Sequence, residues 1–72
     1  MTAQFRKDVG LNLKAARKAA GLKQSQIEEA AGVGYRHYQD IETGKVNVSI
    51  DTLCRLAQAF RTSVEKIVKG SC

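Results

Sequence analysis

The chain has 72 residues, enough for one small domain whose core gives marginal stability, so we expect a partner subunit to stabilise it. Its net charge of +5 favours a polyanionic partner such as DNA or RNA. One histidine and two distant cysteines do not form the patterns of a metal site or a disulfide framework, so no cofactor is expected.

The sequence also lacks the patterns of exported and membrane proteins. Its N-terminal residues contain no apolar core of a signal peptide, and no run of about 18 apolar residues is present. We therefore expect a cytoplasmic protein with reduced thiols and no membrane contact.

The first predicted helix covers about residues 4–20. Phe5, Val9 and Leu13 follow the three- and four-residue spacing of a buried helix face, and the lysines and arginines form the solvent face. Gly21 is placed to end the helix, because glycine adopts left-handed conformations at helix ends. Gly10 lies inside the helix and costs about 1 kcal/mol relative to alanine, which predicts weak first turns.

Two short helices are predicted next, over residues 23–31 and 34–43, with Gly32 at the break between them. Their apolar residues fall at the inward positions of both helices: Ile27, Ala31, Val33, Tyr38 and Ile41. Such a pair is the layout of a helix-turn-helix, here residues 24–43, whose second helix lies in the DNA major groove. The third helix, residues 34–43, is therefore the predicted recognition helix.

The remaining residues predict two further helices. Ser49 is a favourable N-cap for a fourth helix that ends near residue 60, and Thr62 or Ser63 caps a short fifth helix. The inward residues of the fourth helix are predicted to be Ile50, Leu53, Cys54, Leu56, Ala57 and Phe60. This makes Cys54 a buried thiol, while Cys72 is predicted to be exposed in a loose tail. Five helices without a strand predict an all-α fold in a single domain, residues 1–72.

A set of motifs spread along the chain matches one known pattern. They are Arg17, Gly21-Leu22, Gln24, Gly32-Val33, Ile41-Glu42, Gly44-Lys45, Asn47-Val48-Ser49, Leu53 and Arg55-Leu56-Ala57. Over about residues 9–68 the chain resembles the Cro/repressor class of helix-turn-helix regulators, the XRE family. It is similar to the controller proteins of restriction-modification systems and also to phage repressors. The resemblance implies a five-helix lambda-repressor-like domain that binds double-stranded DNA and regulates transcription.

Four outward side chains of the recognition helix are candidates for reading bases: Tyr35, Arg36, Gln39 and Asp40. Arg36 can donate two bonds to guanine or hold a phosphate, and Gln39 can pair with adenine or a phosphate. Tyr35 can contact a thymine methyl group or bond a phosphate. Asp40 can accept a hydrogen bond from cytosine, or it can orient Arg36, which lies one turn earlier in the helix. Each can instead belong to a solvated helix face.

Four further residues are candidates for contacts with the DNA backbone: Gln24, Thr43, Lys45 and Asn47. Gln24 begins the second helix and matches the glutamine that bonds a phosphate in this family. Residues 5–20 hold five basic residues against one acid, whereas residues 23–52 hold three against five. Positive charge therefore lies beside a slightly acidic segment that contains the helix-turn-helix. This distribution fits phosphate contacts at the edges of that segment.

Arg17 and Glu42 match two family positions that form a partly buried ion pair, which ties the first helix to the end of the third. Two residues depart from the family pattern. Glu28 replaces the usual alanine where the two helices nearly touch, so its carboxylate must turn to solvent or bond the recognition helix. Gly34 replaces the usual serine or threonine cap, which leaves a donor unpaired.

A monomer of this size covers half a site, so the resemblance implies a homodimer on a palindromic operator, with recognition helices about 34 Å apart. The predicted interface is Phe60, Val64, Ile67 and Val68, unless these residues close the monomer core. The alternative function is a DNA-binding antitoxin or interaction module that needs a partner protein. An enzyme is not predicted, since the sequence offers no nucleophile–base pair, acid cluster or metal set, and no small-molecule ligand is expected.

Overall fold

Five α-helices follow one another in the computed structural model, which describes residues 2–69. Their bounds are Ala3–Ala19 (α1), Ile27–Ala31 (α2), Tyr35–Glu42 (α3), Ile50–Ala59 (α4) and Val64–Val68 (α5), and a 3₁₀ turn over Gln24–Gln26 leads into α2. These residues contain no β-strand, so the predicted all-α fold is confirmed. Within the same range, no helix is both long and apolar enough to cross a membrane. The predicted exposure of Cys72 falls outside the described residues.

α4 and α5 begin after serine caps. Ser49 Oγ accepts a hydrogen bond from the amide of Thr52 at 3.1 Å, and Ser63 Oγ accepts one from the amide of Lys66 at 3.2 Å. Each bond satisfies an amide that the helix itself leaves without a partner. The structure thus selects Ser63 rather than Thr62 as the cap of α5.

The core is built from one face of every helix and from three connecting segments. Its buried members are Val9, Leu13, Ile27, Val33, Tyr38, Ile41, Val48, Leu53, Leu56, Ala57, Phe60 and Ile67. α1 packs against α3 and α5, while α2 packs against α4. Tyr38 and Phe60 meet edge to face, with ring centroids 6.2 Å apart at 79°, a favourable aromatic geometry. α1 is therefore the element on which α3 rests.

Gly10 lets α1 approach the end of α3 more closely than a residue with a side chain would. It is buried, and a Cβ placed on it would overlap the carbonyl oxygen of Glu42 and lie 2.8 Å from that of Ile41. α1 continues unbroken through this position, and the weakness of its first turns stays a prediction. The missing side chain sets the distance between α1 and α3.

The prediction that Ile50 and Cys54 point inward is wrong. Ile50 is 71% exposed and Cys54 is exposed, whereas Leu53, Leu56 and Ala57 are buried. α4 meets the core along a narrow stripe, and positions 50 and 54, one turn apart, lie together outside it. Cys54 is therefore a surface thiol on the outer face of α4.

α5 closes the core against α1. Asn12 Nδ2 donates to the carbonyl oxygen of Ile67 at 2.6 Å, and Ile67 and Phe60 are only 1% and 4% exposed. Their burial places these two residues in the monomer core, which is the alternative that the sequence left open for them. Val64 and Val68 are half-buried against the same core, so part of each side chain remains at the surface.

Candidate nucleic-acid interface

α2 and α3 are joined by a sharp turn in the predicted place. Gly32 ends α2 with a left-handed φ of 71°, which glycine adopts without strain. Val33 then enters the core, and α3 begins after Gly34, which supplies no side-chain cap. Tyr38 and Ile41 are buried beneath α3. The helix therefore lies on the core with its opposite side exposed.

That exposed side of α3 carries the four side chains predicted to read bases. Tyr35 and Arg36 are exposed, and Gln39 and Asp40 are partly exposed. Arg36 and Asp40 form no ion pair, so Asp40 does not orient Arg36 in this structure. An α-helix with its side chains is about 10–12 Å across, so the exposed side of a helix such as α3 can enter the DNA major groove, which is about 12 Å wide.

Glu28, which departs from the family pattern, has its side chain in solvent. Its side chain is exposed and has no bonding partner within residues 2–69. Of the two alternatives for this residue, the turn to solvent is the one that the structure contains, and no buried carboxylate separates α2 from α3.

Amide hydrogen bonds link the exposed side of α3 to the segment before α2. Gln39 Nε2 donates to the hydroxyl oxygen of Tyr35 at 3.0 Å and to Gln24 Oε1 at 3.5 Å. Gln24 Nε2 in turn donates to Glu42 Oε1 at 2.9 Å. Each amide is held by its neighbour, so Tyr35, Gln39 and Gln24 form one connected unit in the free protein.

The connected unit ends at the predicted ion pair between Arg17 and Glu42, which is present and buried. Arg17 Nε lies 3.1 Å from Glu42 Oε2, and Arg17 Nη2 donates to Glu42 Oε1 at 3.3 Å. Burial alone would raise the pKa of Glu42, but the hydrogen bonds that it accepts, above all from Arg17, outweigh burial and lower the pKa. The same contact raises the pKa of Arg17. The pair therefore stays charged and ties α1 to the end of α3.

The other polar group beneath α3 is the hydroxyl of Tyr38. It is buried and reaches no partner among residues 2–69 with good hydrogen-bond geometry, although the carboxylate of Glu42 lies close by. Burial, with a smaller contribution from that carboxylate, raises the pKa of Tyr38, so this side chain stays neutral. Over residues 2–69, no three His, Cys, Asp or Glu side chains come together as a metal site would require.

The segment that follows α3 is held by α1. Arg6 Nε donates to the carbonyl oxygen of Gly44 at 3.3 Å, and Arg6 Nη1 donates to Asn47 Oδ1 at 3.4 Å. Three predicted phosphate contacts, Thr43, Lys45 and Asn47, are exposed along this segment. Arg6 could not be predicted as a support for them, because it belongs to a series of basic residues that all match the solvent face of α1.

An open cleft of about 410 Å³ lies beside two of the predicted phosphate contacts. It is lined by Lys7, Leu11, Lys14, Gln24, Glu42 and Thr43. The three α1 residues among them were not predicted as site residues. Their spacing of four and three residues was the available signal, since it places them on one side of the helix.

Known proteins are similar to this chain over most of its length. The HTH_3 family model, described as helix-turn-helix, matches residues 13–67. The HTH-type transcriptional regulator y4dJ of Sinorhizobium fredii is 35% identical over 64 residues, which are 89% of this chain and 83% of that protein. The control protein C.SmaI of Serratia marcescens is 33% identical over 57 residues, which are 79% of this chain and 68% of that protein.

A solved structure extends the similarity to three dimensions. The crystal structure of the restriction-modification controller protein C.AhdI from Aeromonas hydrophila superposes with a TM-score of 0.81 at 27% sequence identity. The superposition covers 92% of this chain and 98% of that one. The two chains therefore share nearly their whole fold.

Proposed function

Since this chain belongs to the HTH_3 helix-turn-helix family, we propose that it is a sequence-specific transcription regulator that binds double-stranded DNA through α3. It acts as a homodimer on a palindromic operator, in the manner of a restriction-modification controller or a phage-type repressor. The observation that carries this proposal is the exposed polar side of α3, whose opposite side is fixed on the core by Tyr38 and Ile41.

We assign base reading to the exposed side of α3. Arg36 has no ion-pair partner in residues 2–69, so its guanidinium can donate two parallel bonds to O6 and N7 of a guanine. Tyr35 and Gln39 are hydrogen-bonded to each other and approach the groove as one unit. Asp40 also lacks a cation partner there, which leaves its carboxylate to accept from a cytosine amino group.

We assign phosphate binding to Gln24 and to the segment after α3, which meet at the cleft beside the end of α3. Gln24 uses one amide hydrogen on Glu42 and keeps the second for a phosphate oxygen. Asn47 accepts from Arg6 through its oxygen, so its NH₂ group remains to donate. Such contacts set the position of the protein on the duplex without reading sequence.

A second copy of the chain is part of the proposal, because one α3 reads half of a palindrome. Ile50 is the most exposed large apolar side chain in residues 2–69, and Cys54 lies one turn further on the same face of α4. Beside them, Asp51 Oδ2 and Arg55 Nη2 are 3.1 Å apart. Two α4 helices that pair across a perpendicular twofold axis run antiparallel. Asp51 of one copy then meets Arg55 of the other, and Ile50 meets Cys54.

The outer face of α4, residues 50, 51, 54 and 55, is therefore the interface that we favour over the one predicted on α5. Opposite charges and an apolar residue on one face make it self-complementary, as an interface between identical chains requires. The surface edges of the half-buried α5 valines, Val64 and Val68, would extend it.

The test of the proposed function is selection of bound sequences from a random duplex pool, with the mass of the complex measured by native mass spectrometry. We expect one palindromic sequence to be enriched and bound by two chains. Binding without any enriched sequence, weak and strongly dependent on salt, would contradict the proposal. That result would favour a module that needs a partner protein.

A further inference from the structure

One wall of the cleft beside Gln24 and Thr43 is formed by α1. Its three residues, Lys7, Leu11 and Lys14, lie on one side of the helix, and we call them the α1 edge. Both lysines are exposed, and Leu11 is 63% exposed although the other apolar residues of α1 with large side chains pack on the core.

The α1 edge gives the cleft a positive charge that the described protein does not neutralise. Lys7 and Lys14 form no ion pair with any residue between 2 and 69. Glu42 is the one acid that lines the cleft, and Arg17 and Gln24 already bind its carboxylate. A ligand that enters the cleft therefore meets two unpaired ammonium groups, which favours an anion.

Leu11 indicates what kind of anion fits. An apolar side chain between two lysines offers nothing to a free phosphate, whereas the DNA backbone alternates phosphates with deoxyribose rings. Lys7 and Lys14 are separated by about 10 Å along the helix axis. A DNA strand carries one phosphate for about every 3.4 Å of its axis, so the α1 edge is long enough to meet more than one phosphate of a strand.

We propose that the α1 edge binds the backbone of the operator, with Lys7 and Lys14 on two phosphates of one strand and Leu11 against the sugars between them. This inference rests on the proposed function, because it extends the same DNA surface from Gln24 and Thr43 onto α1. Its distinctive content is two additional phosphate contacts, which lysines that are merely solvated would not make.

The experiment is the salt dependence of binding to the selected operator and to a random duplex. Lys7→Ala and Lys14→Ala should each reduce the slope of log affinity against log salt by about 0.9 and weaken both DNAs alike. Leu11→Glu should weaken binding to both DNAs by more than about tenfold, because the new carboxylate would face the phosphates, and like charges across an interface repel strongly. Lys66→Ala, an exposed lysine of α5 outside the cleft, is the matched control and should leave the slope unchanged.

The outcomes separate this inference from the proposed function. If the wild-type protein binds one sequence selectively but Lys7→Ala and Lys14→Ala keep the wild-type slope, the α1 edge does not contact DNA and the proposed function still stands. If Lys66→Ala lowers the slope as much as they do, the effect is one of net charge and the inference is wrong. If the wild-type protein selects no sequence, both proposals fail together.

Discussion

At the scale of single residues, Gly10 decides how closely α3 is held to α1. Local sequence predicts only the propensity cost of a glycine within a helix, because the residues that Gly10 meets are far along the chain in α3. The caps Ser49 and Ser63 could be predicted, since their chemistry acts on amides three residues away. A role that depends on a distant backbone carbonyl leaves no such local signal.

Replacement of Gly10 by alanine is expected to lower the free energy of unfolding by about 1–3 kcal/mol, because the new methyl group would overlap the carbonyl groups of Glu42 and Ile41. Helix propensity alone predicts the opposite sign, a gain of about 1 kcal/mol. Urea denaturation measures the difference. Ala15→Gly, at an exposed position of the same helix, is the control and should lose about 1 kcal/mol. A Gly10→Ala protein that is more stable than wild type would mean that α1 and α3 are not in close contact.

At the scale of elements, the helix-turn-helix could be predicted and the outer face of α4 could not. Two local signals indicate two short helices joined by a sharp turn. They are the break at Gly32 and the inward positions of Tyr38 and Ile41. In α4, an apolar stripe that includes Ile50 and Cys54 has the same helical spacing as one without them. The narrower stripe is buried because α4 has few neighbours on its outer side, and that depends on the assembled fold.

Two substitutions on and beside α3 should separate base reading from phosphate binding. Arg36→Ala is expected to remove about 1–3 kcal/mol of discrimination between operator and random DNA, because the exposed guanidinium has no structural partner to lose. Lys45→Ala should weaken both DNAs equally and reduce the salt slope by about one unit. Titrations of both DNAs at several salt concentrations measure these effects. Intact specificity in Arg36→Ala would show that α3 is not the helix that reads the bases.

At the scale of the whole molecule, the described part of the chain measures only 29 × 22 × 19 Å. A domain of this size buries a smaller fraction of its unfolded surface than a larger domain does, which is why a partner subunit was expected from the length alone. Where that copy binds could not be predicted, because Phe60 and Ile67 were candidates for both the core and an interface. The packing of α5 on α1 places them in the core. The exposed Ile50 is the reason that we propose an interface on α4 instead.

Introduction of a charge on the outer face of α4 is expected to give monomers. In Ile50→Glu, an unpaired carboxylate would be buried against Cys54 of the other copy in the proposed interface, whereas the fold should be unaffected because Ile50 is exposed. Sedimentation equilibrium measures the mass in solution, and circular dichroism checks the fold. Leu11→Glu, which changes a similarly exposed apolar residue on α1, is the control and should keep the wild-type mass. An Ile50→Glu protein that still has the mass of two chains would place the interface elsewhere.

The side-chain hydrogen bonds that join Tyr35, Gln39, Gln24 and Glu42 also limit how such a regulator can diversify after its gene is copied. Under the proposed function, a codon change at Gln24 or Gln39 would alter the support of α3 together with its contacts to DNA. A change at Arg36 would alter the proposed contacts alone, since no partner within residues 2–69 depends on it. New operator preferences are therefore most accessible through position 36, where a lineage can vary what it recognises without rebuilding the protein beneath.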